Sequence, residues 1–314
     1  MNLALRVLLT AAALVVAAPG AARAEASAAP VPVVEAFAGE RFDYDVSFLF
    51  FGRAAVGRIS LAPETEPGPD GLGGPGSGRY VARLSAETKG FVGFFKKIRH
   101  VYTSTLVPCE GGTRWCSRVF VKDLEDRGGR EVTTTFLNEA RGVMTWTIRR
   151  DGVVTEIGRE PIPEGVRYDD MLAALFNFRA GRYGPIEKGR RYELDMIPVE
   201  GIRTFTLRIL GGEEEARARS EYGMGESGVV IALELPEAIF KNEGEIVVWF
   251  SPEMVPVTAT VVNYLGLGDV TGRLVRAVRP AGRPLVPVAE FERERRERER
   301  DQALSEAIRR QQRR

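Results

Sequence analysis

The residues able to do chemistry are few and widely spaced. His100 is the only histidine in 314 residues, which removes most zinc and iron sites, since these draw on two or more imidazoles or thiolates. It also leaves a single base for any Ser-His or Cys-His pair. An enzyme on this chain would have to run on carboxylates, Lys, Tyr or Arg. The two cysteines, Cys109 and Cys116, bracket Glu-Gly-Gly-Thr-Arg-Trp. That spacing is not C-x-x-C, so in an oxidising compartment it predicts a structural disulfide rather than a redox pair. Residues 101–107 and 117–121 read as strands around a Gly-Gly turn. A bridge across the neck of that hairpin closes a short loop and contributes about 2 kcal/mol.

Asp169-Asp170 stands before an apolar helical stretch, where burial would raise a carboxyl pKa. Neighbours on a helix point about 100° apart, so the pair does not face itself as acid and base, and capping is the expected role. Two stretches spell G-x-G-x-x-G: Gly71 to Gly76 and Gly223 to Gly228. Neither follows a strand and opens a helix, as a dinucleotide site requires. Gly225-Glu-Ser227-Gly228 has the wrong spacing for a nucleophile elbow. The run Gly90-Phe91-Val92-Gly93-Phe94-Phe95-Lys96-Lys97 is the most unusual. Phe91, Phe94 and Phe95 are candidate ligand-binding residues, an apolar lip to guide an acyl chain with the Lys pair at headgroups. The competing expectation is that they cap the core beside the next strand, Phe95 above all.

The elements around these residues are mostly strands. Phe42, Tyr44, Val46, Phe48 and Phe50 alternate with Asp43, Asp45 and Ser47, the period-2 pattern of a half-buried strand. With a turn at Gly52-Arg53, residues 41–62 form a hairpin, and the Pro- and Gly-rich stretch 63–78 is an exposed loop. Strand patterns follow at 80–88, 98–107, 114–122, 131–138, 142–149 and 153–157. They resume at 191–198, 203–210, 229–235, 245–250, 258–264 and 270–278. Between the two series, Met171, Leu172, Leu175, Phe176 and Phe178 recur at helical spacing. The expected fold is mainly β: a large bent antiparallel sheet or β-barrel with one covering helix.

At the N-terminus, Arg6, the apolar run Val7 to Ala18 and Ala22-Arg23-Ala24 have the anatomy of a cleaved signal peptide over 1–24. A dozen apolar residues are too few for a transmembrane segment. Glu25 replaces the cysteine that a lipoprotein would need. Residues 25–38 read as a disordered lead-in, 39–280 as the β domain, and 281–314 as a charged helical or disordered tail rich in Arg and Glu. The 44 Lys and Arg against 43 Asp and Glu give no electrostatic case for nucleic acid.

Several stretches together resemble the DUF3108 family of exported bacterial proteins. They are Ala38 to Val46 with Gly52 and Gly57, Lys89 to Leu106 with Tyr102, Asp169 to Arg179, Val248 to Ser251, and Pro256-Val257. The likeness spans residues 36–278 and implies a signal-bearing envelope protein with a barrel-like fold, with no activity, cofactor or site residues to transfer.

The functional expectation is a non-enzymatic periplasmic protein, secreted through its leader, that binds an apolar or lipid-linked envelope ligand such as a lipid or a lipid-linked glycan. The alternatives are a scaffold or accessory subunit with an envelope protein partner and, behind it, a carboxylate-based glycan hydrolase. No catalytic residue, metal or cofactor is assigned. An enclosed apolar cavity favours the ligand. A filled core with an exposed apolar patch favours the scaffold.

Overall fold

The computed structural model describes residues 32–48, 51–90, 93, 97–199, 201–235, 244–263 and 268–279. The leader, the tail from 280 onward and Phe91, Phe94 and Phe95 lie outside the described residues. Fourteen strands form one antiparallel sheet in the order β8-β7-β6-β5-β4-β3-β2-β1-β14-β13-β12-β11-β10-β9. The first eight are β1 (Arg41–Phe48), β2 (Phe51–Pro63), β3 (Tyr80–Thr88), β4 (Arg99–Cys109), β5 (Arg114–Asp126), β6 (Gly129–Asn138), β7 (Val143–Arg150) and β8 (Val153–Pro161). The remainder are β9 (Arg191–Val199), β10 (Ile202–Ile209), β11 (Val229–Leu235), β12 (Gly244–Phe250), β13 (Pro256–Val262) and β14 (Val270–Val278). Pairing of β1 with β14 joins the first and last strands in the middle of the sheet.

The expected alternation in β1 is observed. Phe42 and Tyr44 are buried, and the Tyr44 hydroxyl donates to the Pro256 carbonyl at 2.7 Å. Asp43 faces the other way, with Arg41 and Arg58 on its carboxylate. The turn into β2 falls earlier than the sequence suggested: Gly52 and Arg53 already belong to β2. Two glycines are fixed by tryptophans. A Cβ on Gly158 would sit 2.0 Å from the Trp146 ring, and one on Gly225 would sit 2.2 Å from Trp249. Each indole occupies the space that a side chain at the glycine would need.

The sheet does not close strand to strand. Its free edges, β8 and β9, are consecutive in sequence, and residues 162–190 between them fill the seam. Asp169 makes a parallel bridge to β9, its N–H donating to the Asp195 carbonyl while its own carbonyl accepts from Ile197, both at 2.9 Å. An Arg203–Glu160 ion pair spans the same gap.

Among the described residues there are three helices where one was expected. Helix α1 (Val33–Phe37) occupies part of the segment read as a disordered lead-in. Val33 and Phe37 are buried with Leu61, Leu106, Trp115 and Phe176, so the apolar residues of that segment order it. Helix α2 (Met171–Arg179) is the expected one, and it is buried on nearly all sides. Phe176 packs with α1, and Phe178 packs with Leu194, Ile209 and Phe250. Helix α3 (Gly212–Tyr222) covers a third cluster, in which Ala218 meets Leu210, Met224 and Trp249. Gly223 ends it in the left-handed conformation at φ 60, so this glycine caps a helix and has no phosphate role.

Candidate functional site

The polar centre of the molecule is built on the start of α2. The Asp170 carboxylate caps the helix: Oδ1 accepts from the N–H groups of Leu172 at 2.7 Å and Ala173 at 3.0 Å. Its Oδ2 accepts from Ser117 Oγ at 2.5 Å and from Ser104 Oγ, hydroxyls that β5 and β4 present inward. Two turns on, the Asn177 amide accepts from the Trp115 N–H and donates to its carbonyl, both at 2.9 Å. Strand β6 pairs with β5 only from Val119 onward. Asn177 thus supplies the hydrogen bonds that a neighbouring strand would have given Trp115.

Asp169 faces outward from the same turn. Its carboxylate accepts from Arg114 Nη2 at 2.6 Å, from Tyr183 Oη at 2.5 Å and from Asn177 Nδ2 at 3.3 Å. Burial, the largest influence, pushes the Asp169 pKa up, opposed by Arg114 and by the hydrogen bonds from Tyr183 and Asn177. Burial and the adjoining Asp169 also push the Tyr183 phenol far up, so it remains a proton donor. Asp170 is likewise raised by burial, against the hydroxyl and backbone donors that stabilise its ionised form.

Beside Asp169 opens a cleft of about 560 Å³. Four segments line it: the β4–β5 tip with Glu110 and Arg114, the β6–β7 turn with Glu139, the connector Gly165 to Asp169, and edge strand β9 with Glu193 and Asp195; Tyr183 completes it. Carboxylates outnumber guanidiniums by three in this lining. Arg114 is held by Asp169, and Arg167 by Glu110 at 2.5 Å and Glu139 at 3.1 Å. Among the described residues, the Glu193 and Asp195 side chains have no ion-pair or hydrogen-bond partner. The Cys109–Cys116 disulfide is formed, as the spacing predicted, with Cα atoms 6.0 Å apart. It braces the tip that carries Glu110 and Arg114.

Of the residues singled out in the sequence, Asp169 and Asp170 meet at this centre, and Asp170 is the cap. His100 lies elsewhere on β4, opposite Ala86 and Leu124, and burial lowers its pKa and keeps it neutral. Phe91, Phe94 and Phe95, the candidate ligand lip, fall outside the described residues. Among the described residues, no three His, Cys, Asp or Glu converge as metal ligands. Sequence reasoning missed Arg114, Asn177, Tyr183, Glu193 and Asp195. Only Asn177 gave a local signal, an amide between Phe176 and Phe178 in an otherwise apolar helix.

No curated protein matches the chain. A solved structure, the β-barrel-like protein of domain of unknown function DUF1849 from Brucella abortus, aligns with 77% of this chain and 98% of its own at 11% identity and a TM-score of 0.40. The model of the family described as protein of unknown function (DUF3108) matches residues 43–274. That span takes in the strands, the α2 cap and the cleft, and the chain belongs to the DUF3108 family.

Proposed function

We propose that this is a non-enzymatic binding protein of the periplasm whose cleft takes the polar, glycan part of an envelope ligand. The cleft of about 560 Å³ carries this reading: its size suits a small ligand, and its walls are carboxylates, guanidiniums and a phenol, with Arg114 and Tyr183 fixed on Asp169 and Arg167 on Glu110 and Glu139. Such groups suit hydroxyl-rich ligands, which need many fixed donors and acceptors. An acyl chain finds little there, and the inner faces of the strands are occupied by packed side chains. Asp169, the most buried carboxylate of the cleft, has its oxygens engaged by Arg114, Tyr183 and Asn177, which suits a binding wall better than an acid or base. The periplasmic assignment rests on the leader and on a disulfide suited to oxidising compartments.

The test is native mass spectrometry of protein isolated from the periplasm, together with titration of soluble envelope glycans. A carbohydrate adduct or saturable glycan binding, lost in Asp195→Asn with Tyr183→Phe, is expected. A co-purifying lipid without sugar, or no glycan binding at all, would overturn the reading.

A scaffold role has one observation in its favour. On edge strand β8, Val153, Val154 and Ile157 are 67%, 45% and 76% exposed. Exposed apolar side chains on an unpaired edge suit docking to another protein. Ile157→Lys should then remove a cross-linked partner in intact cells while leaving glycan binding unchanged.

A further inference from the structure

At the far end of α2 from the cleft lies a buried charge cluster whose signs do not balance. Arg179 grips Glu40 with two nitrogens, at 2.6 and 3.0 Å, and neither side chain has any exposed surface. Its Nε donates to the Met254 carbonyl at 2.6 Å, and its plane lies over Phe37, Phe42 and Phe176. A second guanidinium, Arg279, enters the same site with only 4% of its side chain exposed. Arg279 Nε stands 3.5 Å from Glu40 Oε1, an oxygen Arg179 already holds, and it has no hydrogen-bond acceptor among the described residues. Arg279 Nη2 donates to the Glu253 carbonyl at 3.2 Å, while the Glu253 carboxylate accepts from Ser251 instead.

The cluster therefore holds two guanidiniums against one carboxylate. An arginine cannot shed its proton, and among the described residues the buried Arg279 Nε meets no acceptor. A buried charge in that state is costly unless a counter-charge meets it. The excess is one unit, and a planar guanidinium pairs best with a carboxylate or phosphate oxygen. We propose that Arg279 is the receiving group of an oxyanion site, separate from the cleft, that takes a small carboxylate or phosphate from solution. The Arg179–Glu40 pair holds the wall of this site.

The test is thermal unfolding of the full chain in acetate or inorganic phosphate, at ionic strength held constant with chloride. Wild-type protein should gain several degrees in Tm in a saturable way, because an anion that binds only the folded state stabilises it by mass action. Arg279→Gln should weaken the apparent affinity by about tenfold or more, as expected from losing one charge-assisted pair. Arg279→Lys, which keeps the charge, should retain part of the response and covers a Gln variant that fails to fold. The arm with the lower half-saturation concentration identifies the oxyanion preferred. A wild-type Tm that tracks chloride and oxyanions equally, or an unchanged response in both variants, would overturn the proposal.

Discussion

At its N-terminal end, α2 offers Asp169 and Asp170 to donors on β4, β5 and Tyr183; at its C-terminal end it offers Arg179 to Glu40. Both placements follow the helix dipole, acid first and base last. The surroundings differ. The Arg179–Glu40 pair is sealed among Phe37, Phe42 and Phe176, and joins the start of β1 to the β12–β13 turn through the Met254 carbonyl. Asp170 is sealed as well, but Asp169, one residue away, opens onto the cleft. The Arg179–Glu40 pair acts as a strut. The same kind of charge beside a cleft forms a wall with spare capacity, since among the described residues Glu193 and Asp195 have no ion-pair or hydrogen-bond partner.

The largest effect should come from breaking the strut. Glu40→Gln keeps the shape but leaves two buried guanidiniums without a carboxylate, and should cost about 3–5 kcal/mol. Asp169→Asn, at the open end, should cost about 1–2 kcal/mol, because Arg114 can turn towards water. Urea unfolding measures both. Equal losses would break the distinction between strut and wall.

A smaller effect separates Asp170 from Asp169. Asp170→Ala removes the cap and leaves Ser104 and Ser117 unpaired, for about 2–3 kcal/mol. Asp170→Asn keeps an acceptor for the helix N–H groups and should cost less. Its pH dependence is the sharper observation. Burial raises the Asp170 pKa above the unfolded value of 3.8, so the folded state binds the proton more tightly. Within the window above 3.8, this group adds stability as pH falls and withdraws it as pH rises. Asp170→Asn lacks that gain, so the variant should compare worst with wild type near pH 4 and best near neutrality. A pH-independent difference would mean that the hydroxyl and backbone donors cancel the burial.

The contrast between local and distant contacts also explains how much the sequence disclosed. Fold class, strand positions, the Asp170 cap and the disulfide were all legible because each depends on neighbours in the chain: alternation in β1, periodicity in α2, two cysteines around a turn. Helix α3 was hidden because six of the ten residues from Glu213 to Tyr222 are charged, and Ala218 is its one buried apolar residue. Helix α1 was hidden by its five-residue length. The site itself was unreadable. Arg114 and Asp169 are 55 residues apart, and Glu40 and Arg179 are 139 apart. No periodicity encodes such pairs, and only the folded chain, with α2 packed against the strands, brings them together.

The disulfide offers a way to test whether the cleft is a preformed wall without touching the residues that line it. Its loop is short, so removing the bridge should cost about 2–3 kcal/mol on chain-entropy grounds. The β4–β5 ladder should hold, because beyond a register shift at Thr105/Leu106 it continues to Arg99 and Glu125, and Trp115 stays anchored by Asn177. The slack should appear at the tip. Glu110 and Arg114 would lose their fixed spacing, and with it their grip on Arg167 and Asp169. Cys109→Ser with Cys116→Ser should therefore remain folded, with a lower Tm and faster amide exchange confined to residues 109–116 and 165–169. Faster exchange spread through the β4–β5 ladder would show that the bridge supports the sheet itself. Unchanged exchange at 165–169 would show that the ion pairs of the cleft stand without it.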